Sequence, residues 1–387
     1  MPSDDILNSP TIDKMVNSLN RKWQTYPKDV IPMWLASPDF PILPEIKEAL
    51  HKAVDDEDLY YNSDIKPRTT IAEKIKRVNK IEVTPNDVMI SQGVEPILWF
   101  AVKHACREGE EVVLPNPMYN GFLHAVHDIK VKPVYWDLDF EDGYKFDLEK
   151  LKEIVNRKTK LICLCNPHNP AGRVMTREEL KGVADIAVDY RIRVFVDELW
   201  EDIRFDGRKH ISFASLNPEI ENLTATAWGV SKTFGVAGLY LGYMATTNKD
   251  MFADYKKIAQ LVQRGSNTLA RAVAPIMLDE TLDWWRRDLM NHLTKIRELC
   301  VRRMNNIPNV KFPKIEGTYM AFPRFDIGMK CEEIHEYLLK EAKVGLSMGT
   351  SFGPLGEHHM RICLATSKAI MNEAIDRMEN ALTKLSP

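Results

Sequence analysis

The chain has 387 residues, of which 44% are hydrophobic and 28% are charged, and its formal net charge at pH 7 is -3. This mixture is that of an ordinary globular protein, and the small net charge gives no electrostatic reason to expect a nucleic-acid or anionic-membrane partner. Because one hydrophobic core rarely grows to this length, we expect two domains.

The sequence shows no sign of a membrane span, a signal peptide or a metal site. No apolar run is long enough to span a bilayer, and the first residues, MPSDDILNSP, lack the pattern of a signal peptide. Cys163 and Cys165 alternate with Leu164 in LICLC, but no second Cys or His pair completes a metal site. We therefore expect reduced core thiols, no bound metal and a cytoplasmic location.

The middle of the chain alternates short apolar runs with helical patterns. The runs that predict strands are DVMIS (87–91), EVVLP (111–115), VKPVYW (131–136), KLICLC (160–165), RVFVD (193–197) and LTATA (223–227). In one of the intervening helical patterns, Thr176 and Glu179 are placed as a capping box. Strands and helices that alternate in this way predict an α/β fold with a mostly parallel sheet sandwiched by helices.

The pattern changes after about residue 275. A long amphipathic helix (283–304), four short strand-like runs and two further helices predict a smaller α+β domain. The first 43 residues are rich in proline and lack a long period. We therefore predict an arm at 1–43 that packs on the small domain, a large α/β domain at 44–275, and the small domain at 276–387.

Several strand ends of the predicted sheet carry residues suited to binding a small molecule. In open parallel sheets, ligands bind at the carboxyl ends of the strands. After the strand at 87–91 come Gly93, Val94 and Glu95, a glycine turn that leads into a helix whose free N–H groups can hold a phosphate. After the strand at 111–115 comes Tyr119, which places an aromatic ring in the next loop.

Three more strand ends supply an amide, a carboxylate and an amine. Asn169 lies between prolines in NPHNPAG, Asp197 ends an apolar strand, and Lys232 follows LTATA within AWGVSKTFGVAGL. Lys232 has no acidic residue within five positions, so either its ammonium reaches solvent at a turn or the amine is needed in a partly enclosed place. Taken singly, each residue has an ordinary explanation as a turn residue, a helix cap or a solvated cation.

Taken together, these residues match what pyridoxal phosphate chemistry needs. A lysine forms a Schiff base with the aldehyde, and a carboxylate keeps the pyridine nitrogen protonated so that the ring accepts electrons. An amide can donate to the phenolate oxygen, an aromatic ring can stack on the cofactor, and a helix N-terminus can take the phosphate. We therefore predict that Lys232 binds the cofactor and then removes the Cα proton of an amino acid.

Three motifs, in matching order and spacing, resemble the class I/II aminotransferase family, the fold-type I pyridoxal-phosphate enzymes. NPHNPAG resembles the NPxNPTG loop of the family, DELW at 197–200 its DE(I/L)Y segment, and SKTF at 231–234 its lysine box. The similarity extends from IPMWLASPDF to MRICLATS. It implies the fold-type I architecture with a sheet of seven strands, an L-amino acid and a 2-oxo acid as substrates, and a homodimer with its sites at the interface.

The resemblance also implies roles for individual residues. Lys232 is the Schiff-base lysine, Asp197 the partner of the pyridine nitrogen, and Asn169 the donor to the phenolate oxygen. The remaining cofactor ligands are Tyr119 as the stacking ring, Gly93, Val94, Glu95 and Ser231 at the phosphate, and Tyr61, which reaches the phosphate of the neighbouring subunit. Arg361 clamps the substrate α-carboxylate, a bidentate task suited to guanidinium, with Ala36 and Asn169 beside it.

Two positions depart from the family pattern. Tyr240 stands eight residues after Lys232, where the family has an arginine that pairs with the phosphate, and Trp200 stands where many members have a tyrosine. Four stretches (IPMW, GRKHISFASL, SKTFGVAGL and EGTYMAF) look like the cystathionine β-lyase branch, whose members cleave carbon–sulfur bonds. We expect an aminotransferase, with a β-lyase that releases pyruvate and ammonia as the alternative.

A non-catalytic role is a further alternative, because a fold alone does not certify activity. The sequence carries no DNA-binding segment. Lys232, Asp197, Asn169 and Arg361 are all in place, which favours an enzyme over a regulator.

Overall fold

The computed structural model describes residues 3–263 and 265–385. The chain begins with three short helices and one short strand, α1 (Ser3–Leu7), α2 (Ile12–Val16), α3 (Arg21–Gln24) and β1 (Ile31–Pro32). A buried ion pair of 2.9 Å between Lys22 and Asp39 fastens α3 to the loop after β1. The indole of Trp23 donates to the same carboxylate at 2.8 Å, so this loop is held from two sides.

A seven-stranded sheet forms the centre of the protein. Its strands are β2 (Val88–Ser91), β3 (Glu111–Asn116), β4 (Lys132–Asp137), β5 (Thr159–Cys165), β6 (Arg193–Asp197), β7 (Thr224–Gly229) and β8 (Gly242–Ala245). Their order across the sheet is β2-β8-β7-β6-β5-β3-β4. Neighbouring strands are parallel except where β8 pairs with β2 and β7. The predicted α/β fold with a mostly parallel sheet is confirmed.

Helices pack on both faces of this sheet. They are α4 (Pro44–Asp55), α5 (Ile65–Lys74), α6 (Glu95–Ala105), α7 (Asn120–Asp128), α8 (Leu148–Ile154), α9 (Arg177–Asp189), α10 (Pro218–Leu223), α11 (Ser231–Phe234), α12 (Lys249–Val262) and α13 (Thr268–Leu278). Cys163 and Cys165 of β5 belong to one hydrophobic cluster, whereas Ile162 and Leu164 belong to another. Because successive strand residues point to opposite faces, β5 has a core on each side.

The C-terminal part mixes helices with short strands. Its elements are α14 (Asp283–Met304), β9 (Val310–Lys311), β10 (Met320–Ala321), β11 (Arg324–Phe325), α15 (Cys331–Tyr337), β12 (Val344–Gly345), β13 (Ser347–Met348), β14 (Met360–Cys363) and α16 (Lys368–Leu382). β14 lies between β10 and β13 in an antiparallel sheet, and β12 pairs in parallel with β1 of the N-terminal arm. The domain boundaries at 43/44 and 275/276 stay predictions.

None of the described helices combines the length and the apolar character needed to cross a membrane.

Candidate active site

A cleft of about 520 Å³ opens where strands β5, β6 and β7 end. Nine residues predicted from the sequence line it: Ala36, Gly93, Val94, Glu95, Tyr119, Asn169, Asp197, Lys232 and Arg361. Two others lie outside its wall. Ser231 is the first residue of α11, and Tyr61 is fully exposed in a neighbouring depression.

Lys232 enters the cleft from the single turn of helix α11, which follows β7. Its Nζ donates to the carbonyl oxygen of Ala36 at 2.9 Å and lies 5.6 Å from the centre of the Trp200 ring. Burial, with a smaller contribution from the positive charge of Arg361, lowers the pKa of Lys232 to about 8. A lysine with this pKa is a free amine far more often near neutral pH than an ordinary lysine is.

Asp197 ends β6 and is 6% exposed. The backbone N–H of Leu199 donates to its Oδ1 at 2.9 Å. Burial raises the pKa of Asp197 to about 6, although this N–H and the charge of Lys232 act in the opposite direction. Among the described residues, this carboxylate forms no ion pair with a lysine or an arginine.

A buried acidic network lies next to Asp197 in the chain. Glu198 accepts hydrogen bonds from Ser212 Oγ at 2.5 Å and from the Trp228 indole at 2.9 Å. Glu198, Glu201 and His210 come close enough together to hold a cation. Protein donors already engage both oxygens of each carboxylate, including Lys74 at Glu201, so we interpret the network as structural support for the end of β6.

Arg361, on β14, is a buried cation without a carboxylate partner among the described residues. Its Nη2 donates to the carbonyl oxygen of Trp34 at 3.0 Å, and its guanidinium carbon lies 4.4 Å from the centre of the Phe352 ring. Its buried Nε has no hydrogen-bond partner within residues 3–263 and 265–385, and burial lowers the pKa of Arg361 to about 10. Because a buried guanidinium is costly without an anion, this geometry is that of a site for a carboxylate.

Asn169 connects Arg361 to the rest of the cleft. Arg361 Nη1 donates to Asn169 Oδ1 at 3.2 Å. With Oδ1 engaged, the amide has its Nδ2 left as a donor. One side chain thus contacts the guanidinium with one end and offers a hydrogen bond with the other.

The glycine turn before α6 supplies free backbone N–H groups. Gly93 has a φ of +100°, a backbone conformation that favours glycine. Gly242 must be glycine for a different reason, because a Cβ there would lie 2.2 Å from the Gly93 backbone. The first N–H groups of a helix have no acceptor within it. Those of Val94 and Glu95 find no other acceptor in the described parts of the chain, which suits them to bind an anion.

A second depression, of about 1160 Å³, adjoins the cleft. Gln92 and Tyr240 line both. Tyr61 stands in this depression with its neighbours Leu59 and Tyr60, which are 56% and 71% exposed. Tyr240, at the position of the family arginine, is 63% exposed and has a φ of +50°.

The sequence did not reveal the apolar wall of the cleft, which includes Leu35, Trp99 and Phe122. Trp99 and Phe122 lie in α6 and α7, where an apolar residue that faces a cleft has the same helical spacing as one that faces the core. The carbonyl contacts of Ala36 and Trp34 leave no signal in the sequence, because every residue has a carbonyl group.

The residues present fit an anionic, ring-bearing cofactor together with a substrate that carries a carboxylate. The unpaired Nε of Arg361 and the free N–H groups of α6 are two separate anion sites within one cleft. The lysine of lowered pKa and the buried Asp197 belong to the same cleft. This set defines an enzyme that depends on a cofactor.

Comparison with known proteins identifies the family. The family described as Aminotransferase class I and II matches residues 29–378. The aspartate aminotransferase of Pyrococcus abyssi is 34% identical over 364 residues, which cover 92% of each protein. Cystathionine beta-lyase PatB of Bacillus subtilis is 31% identical over 362 residues, which cover 92% of this chain and 93% of PatB.

The solved structure of cystalysin from Treponema denticola, which contains a pyridoxal 5′-phosphate cofactor, has a TM-score of 0.90 at 25% identity and covers 96% of this chain and 97% of its own. The chain belongs to the class I and II aminotransferase family. It is a pyridoxal-phosphate-dependent enzyme of the aminotransferase class with the fold-type I architecture, as predicted.

Proposed function

We propose that the protein transfers the amino group of an L-amino acid to a 2-oxo acid, with Lys232 as its catalytic residue. The observation that carries this proposal is that Arg361, a buried guanidinium with no carboxylate partner in the described parts of the chain, lies in the same cleft as a lysine of lowered pKa. Both an amino acid and a 2-oxo acid carry a carboxylate beside the reacting carbon, so one guanidinium serves both substrates.

Lys232 performs the proton transfer. Bound pyridoxal phosphate supplies an electron-withdrawing ring that stabilises the negative charge left when the substrate Cα loses its proton. The pKa of about 8 leaves Lys232 partly unprotonated near neutral pH, so its Nζ can take that proton and return it. The carbonyl oxygen of Ala36 and the face of Trp200 hold this amine in the cleft.

The other residues bind and orient. Asp197 would pair with the ring nitrogen, and Asn169 would donate its Nδ2 to the ring oxygen. Tyr119 would stack on the ring, with the indole N–H of Trp200 as a further donor. The turn from Gly93 to Glu95, with Ser231, would bind the phosphate through N–H and hydroxyl groups. Arg361, with Ala36 and Asn169 beside it, would hold the substrate carboxylate.

The test is a panel of L-amino acids added to the holoenzyme with a 2-oxo acid. Formation of a new amino acid from the 2-oxo acid supports the proposal. Release of pyruvate and ammonia from cysteine or cystathionine, without amino transfer, would instead support β-elimination. That alternative is favoured by Tyr240, because an enzyme that keeps its cofactor attached to lysine has less need of a phosphate-binding arginine.

Tyr240→Arg is expected to tighten binding of pyridoxamine 5′-phosphate, a probe that cannot bond to Lys232. A charge-assisted contact contributes about 1.5–3 kcal/mol, which corresponds to a roughly 10- to 150-fold lower Kd. The Kd is measured by titration of the cofactor-free protein. Tyr190→Arg, which changes another half-exposed tyrosine, is the control. An unchanged Kd would show that another cation already binds the phosphate.

We further propose that the enzyme is a homodimer in which the partner covers the depression around Tyr61. Several apolar side chains of this region are exposed: Leu59, Tyr60, Tyr61, Tyr240, Leu261 and Val262. Exposed apolar surface of this kind favours an interface. Tyr61 does not line the cleft of its own chain, which supports a role at the phosphate of the partner.

Hybrid dimers test this arrangement. Lys232→Ala and Tyr61→Ala are each expected to have low activity, whereas a reassociated equal mixture should recover about a quarter of wild-type activity by random pairing. One site of each hybrid then combines an intact Lys232 with an intact Tyr61 of the other chain. If Tyr61 served its own chain, neither site of a hybrid would be intact and the mixture would stay inactive. Sedimentation at low micromolar concentration checks the dimer itself, and an active monomer would contradict it.

We also propose a cytoplasmic location and the three-part division of the chain. All six cysteines are buried and unpaired, which is typical of a reducing compartment. The arm contacts the C-terminal part through β1 and β12 and through a hydrogen bond of 2.8 Å from Ser367 Oγ to the carbonyl oxygen of Pro10.

A further inference from the structure

Glu95 is an unpaired carboxylate in the wall of the cleft. It is the first residue of α6, is exposed, and lines the same space as Lys232 and Arg361. Its Oε1 lies 3.2 Å from the position that a Cβ would take on Gly121, beside the ring of Tyr119. Among the described residues, no side chain forms an ion pair or hydrogen bond with this carboxylate.

The charge of Glu95 acts on the groups around the reacting centre. It raises the pKa of Tyr119, adding to the larger effect of burial, and it also favours the charged form of Lys232. These effects agree with the geometry, in which Glu95, Tyr119 and Lys232 line the same cleft. The carboxylate of Glu95 is therefore positioned to contact the side chain of the substrate, while its backbone N–H would bind the cofactor phosphate.

The described part of the cleft contains two cations, Lys232 and Arg361. In the proposed function Lys232 transfers the proton and Arg361 holds the α-carboxylate. A second substrate carboxylate would find no further cation in the described lining, and it would be repelled by Glu95. The remaining wall is largely apolar, with Leu35, Trp99 and Phe122 among its members.

We propose that Glu95 determines the substrate class, selecting amino acids whose side chain has an apolar stem and a cationic or hydrogen-bond-donating end, and rejecting dicarboxylic amino acids. This inference rests on the proposed function, because it assumes that Arg361 takes the α-carboxylate. The apolar wall contacts the stem of such a side chain, and the unpaired carboxylate accepts its charged end. A dicarboxylic substrate satisfies neither contact.

Steady-state kinetics of the holoenzyme test the selection. With one fixed 2-oxo acid, kcat/KM is measured for lysine and ornithine, for leucine and methionine, and for aspartate and glutamate. We expect the wild type to use the dicarboxylic pair least. Glu95→Gln should lower kcat/KM for the basic pair by about tenfold, mainly through KM, and improve the dicarboxylic pair relative to the neutral one. Glu95→Lys should extend both changes in the same direction.

Glu178→Gln is the matched control. Glu178 is also exposed in the first turn of a helix, α9, so its replacement removes the same favourable contact with a helix N-terminus. It should leave the order of substrates unchanged. Aspartate as the best wild-type substrate, or an equal loss for all three pairs in Glu95→Gln, would overturn the inference. The equal loss would show that Glu95 supports the cofactor or the fold rather than the substrate side chain.

Binding of unreactive acids separates this inference from the proposed function. The Kd values of 6-aminohexanoate and of glutarate are measured by calorimetry on the wild-type holoenzyme and on Glu95→Gln. We expect the wild type to bind 6-aminohexanoate more tightly than glutarate, and Glu95→Gln to lose that preference. This result supports the role of Glu95 even if no amino acid is turned over, which would contradict amino transfer alone. Equal preference in both proteins would overturn the role of Glu95 while amino transfer stands.

Discussion

Lys232→Ala is expected to fold and to lose at least about a thousandfold in turnover, because a proton-transfer group alone contributes 10²–10⁴-fold and the covalent attachment is lost with it. The variant keeps the other residues proposed to bind the cofactor, including Asp197, Asn169 and Arg361. We therefore expect it to retain some cofactor without a covalent bond. The measurement is kcat for the best amino acid of the panel, compared with wild type.

Reductive trapping provides an independent check on Lys232. Borohydride reduction of the wild-type holoenzyme should leave the cofactor on the peptide that contains Ser231–Phe234, detectable by its mass, and should abolish activity. The same treatment of Lys232→Ala should leave no label. Lys209→Ala, which changes an exposed lysine, is the control and should behave as wild type. Near-normal turnover in Lys232→Ala would contradict the proposed mechanism.

Asp197→Asn is expected to lower activity and, at the same time, to stabilise the cofactor-free protein. Asparagine keeps an oxygen for the N–H of Leu199 but cannot hold a proton on the ring nitrogen, so the cofactor becomes a poorer acceptor of electrons. The stability gain arises because burial raises the pKa of Asp197 from 3.8 to about 6. That difference corresponds to about 3 kcal/mol by which ionised Asp197 destabilises the fold.

The gain depends on pH in a defined direction. Above pH 6 Asp197 is ionised in both the folded and the unfolded chain, so its full cost is present. As the pH falls through 6 the folded chain binds the proton first, and below about pH 4 the cost has disappeared. Denaturant unfolding of the two cofactor-free proteins should therefore show a large advantage for Asp197→Asn at pH 8 that shrinks toward pH 5. Full activity in the variant would show that Asp197 only caps the end of its strand. No stability difference at pH 8 would contradict the destabilisation by the ionised carboxylate.

Strands at the centre of the sheet were predictable because they are buried on both faces and appear as continuous apolar runs. The run at 193–197 coincides with β6, and the predicted helix at 283–304 coincides with α14. β8 (Gly242–Ala245) was missed. It has four residues, follows a glycine-rich turn, and runs antiparallel between β2 and β7. Its sequence therefore lacks both a preceding helical pattern and a clear alternation of apolar and polar residues.

The candidate site was predictable where its residues follow strands, because the carboxyl ends of neighbouring parallel strands meet at one edge. This rule brings Asn169, Asp197 and Lys232 together. It does not apply to Arg361, which was assigned to the site only by the family resemblance. The side chain of Arg361 is oriented by Trp34 and by Asn169, two residues distant in sequence, and such contacts become visible only in the folded chain.

The bridge from Arg361 to Asn169 has a thermodynamic consequence. Because one amide touches both the guanidinium and the space for the cofactor, anything that draws Arg361 toward an anion also changes how firmly Asn169 is oriented. The affinities for the two ligands are then linked, and linkage is reciprocal: a cofactor that orders the amide tightens carboxylate binding by the same factor as the carboxylate tightens the cofactor. The effects of substitutions at these two positions on binding free energy would then be non-additive. The interaction energy of a double-mutant cycle would measure the coupling between the two ligands.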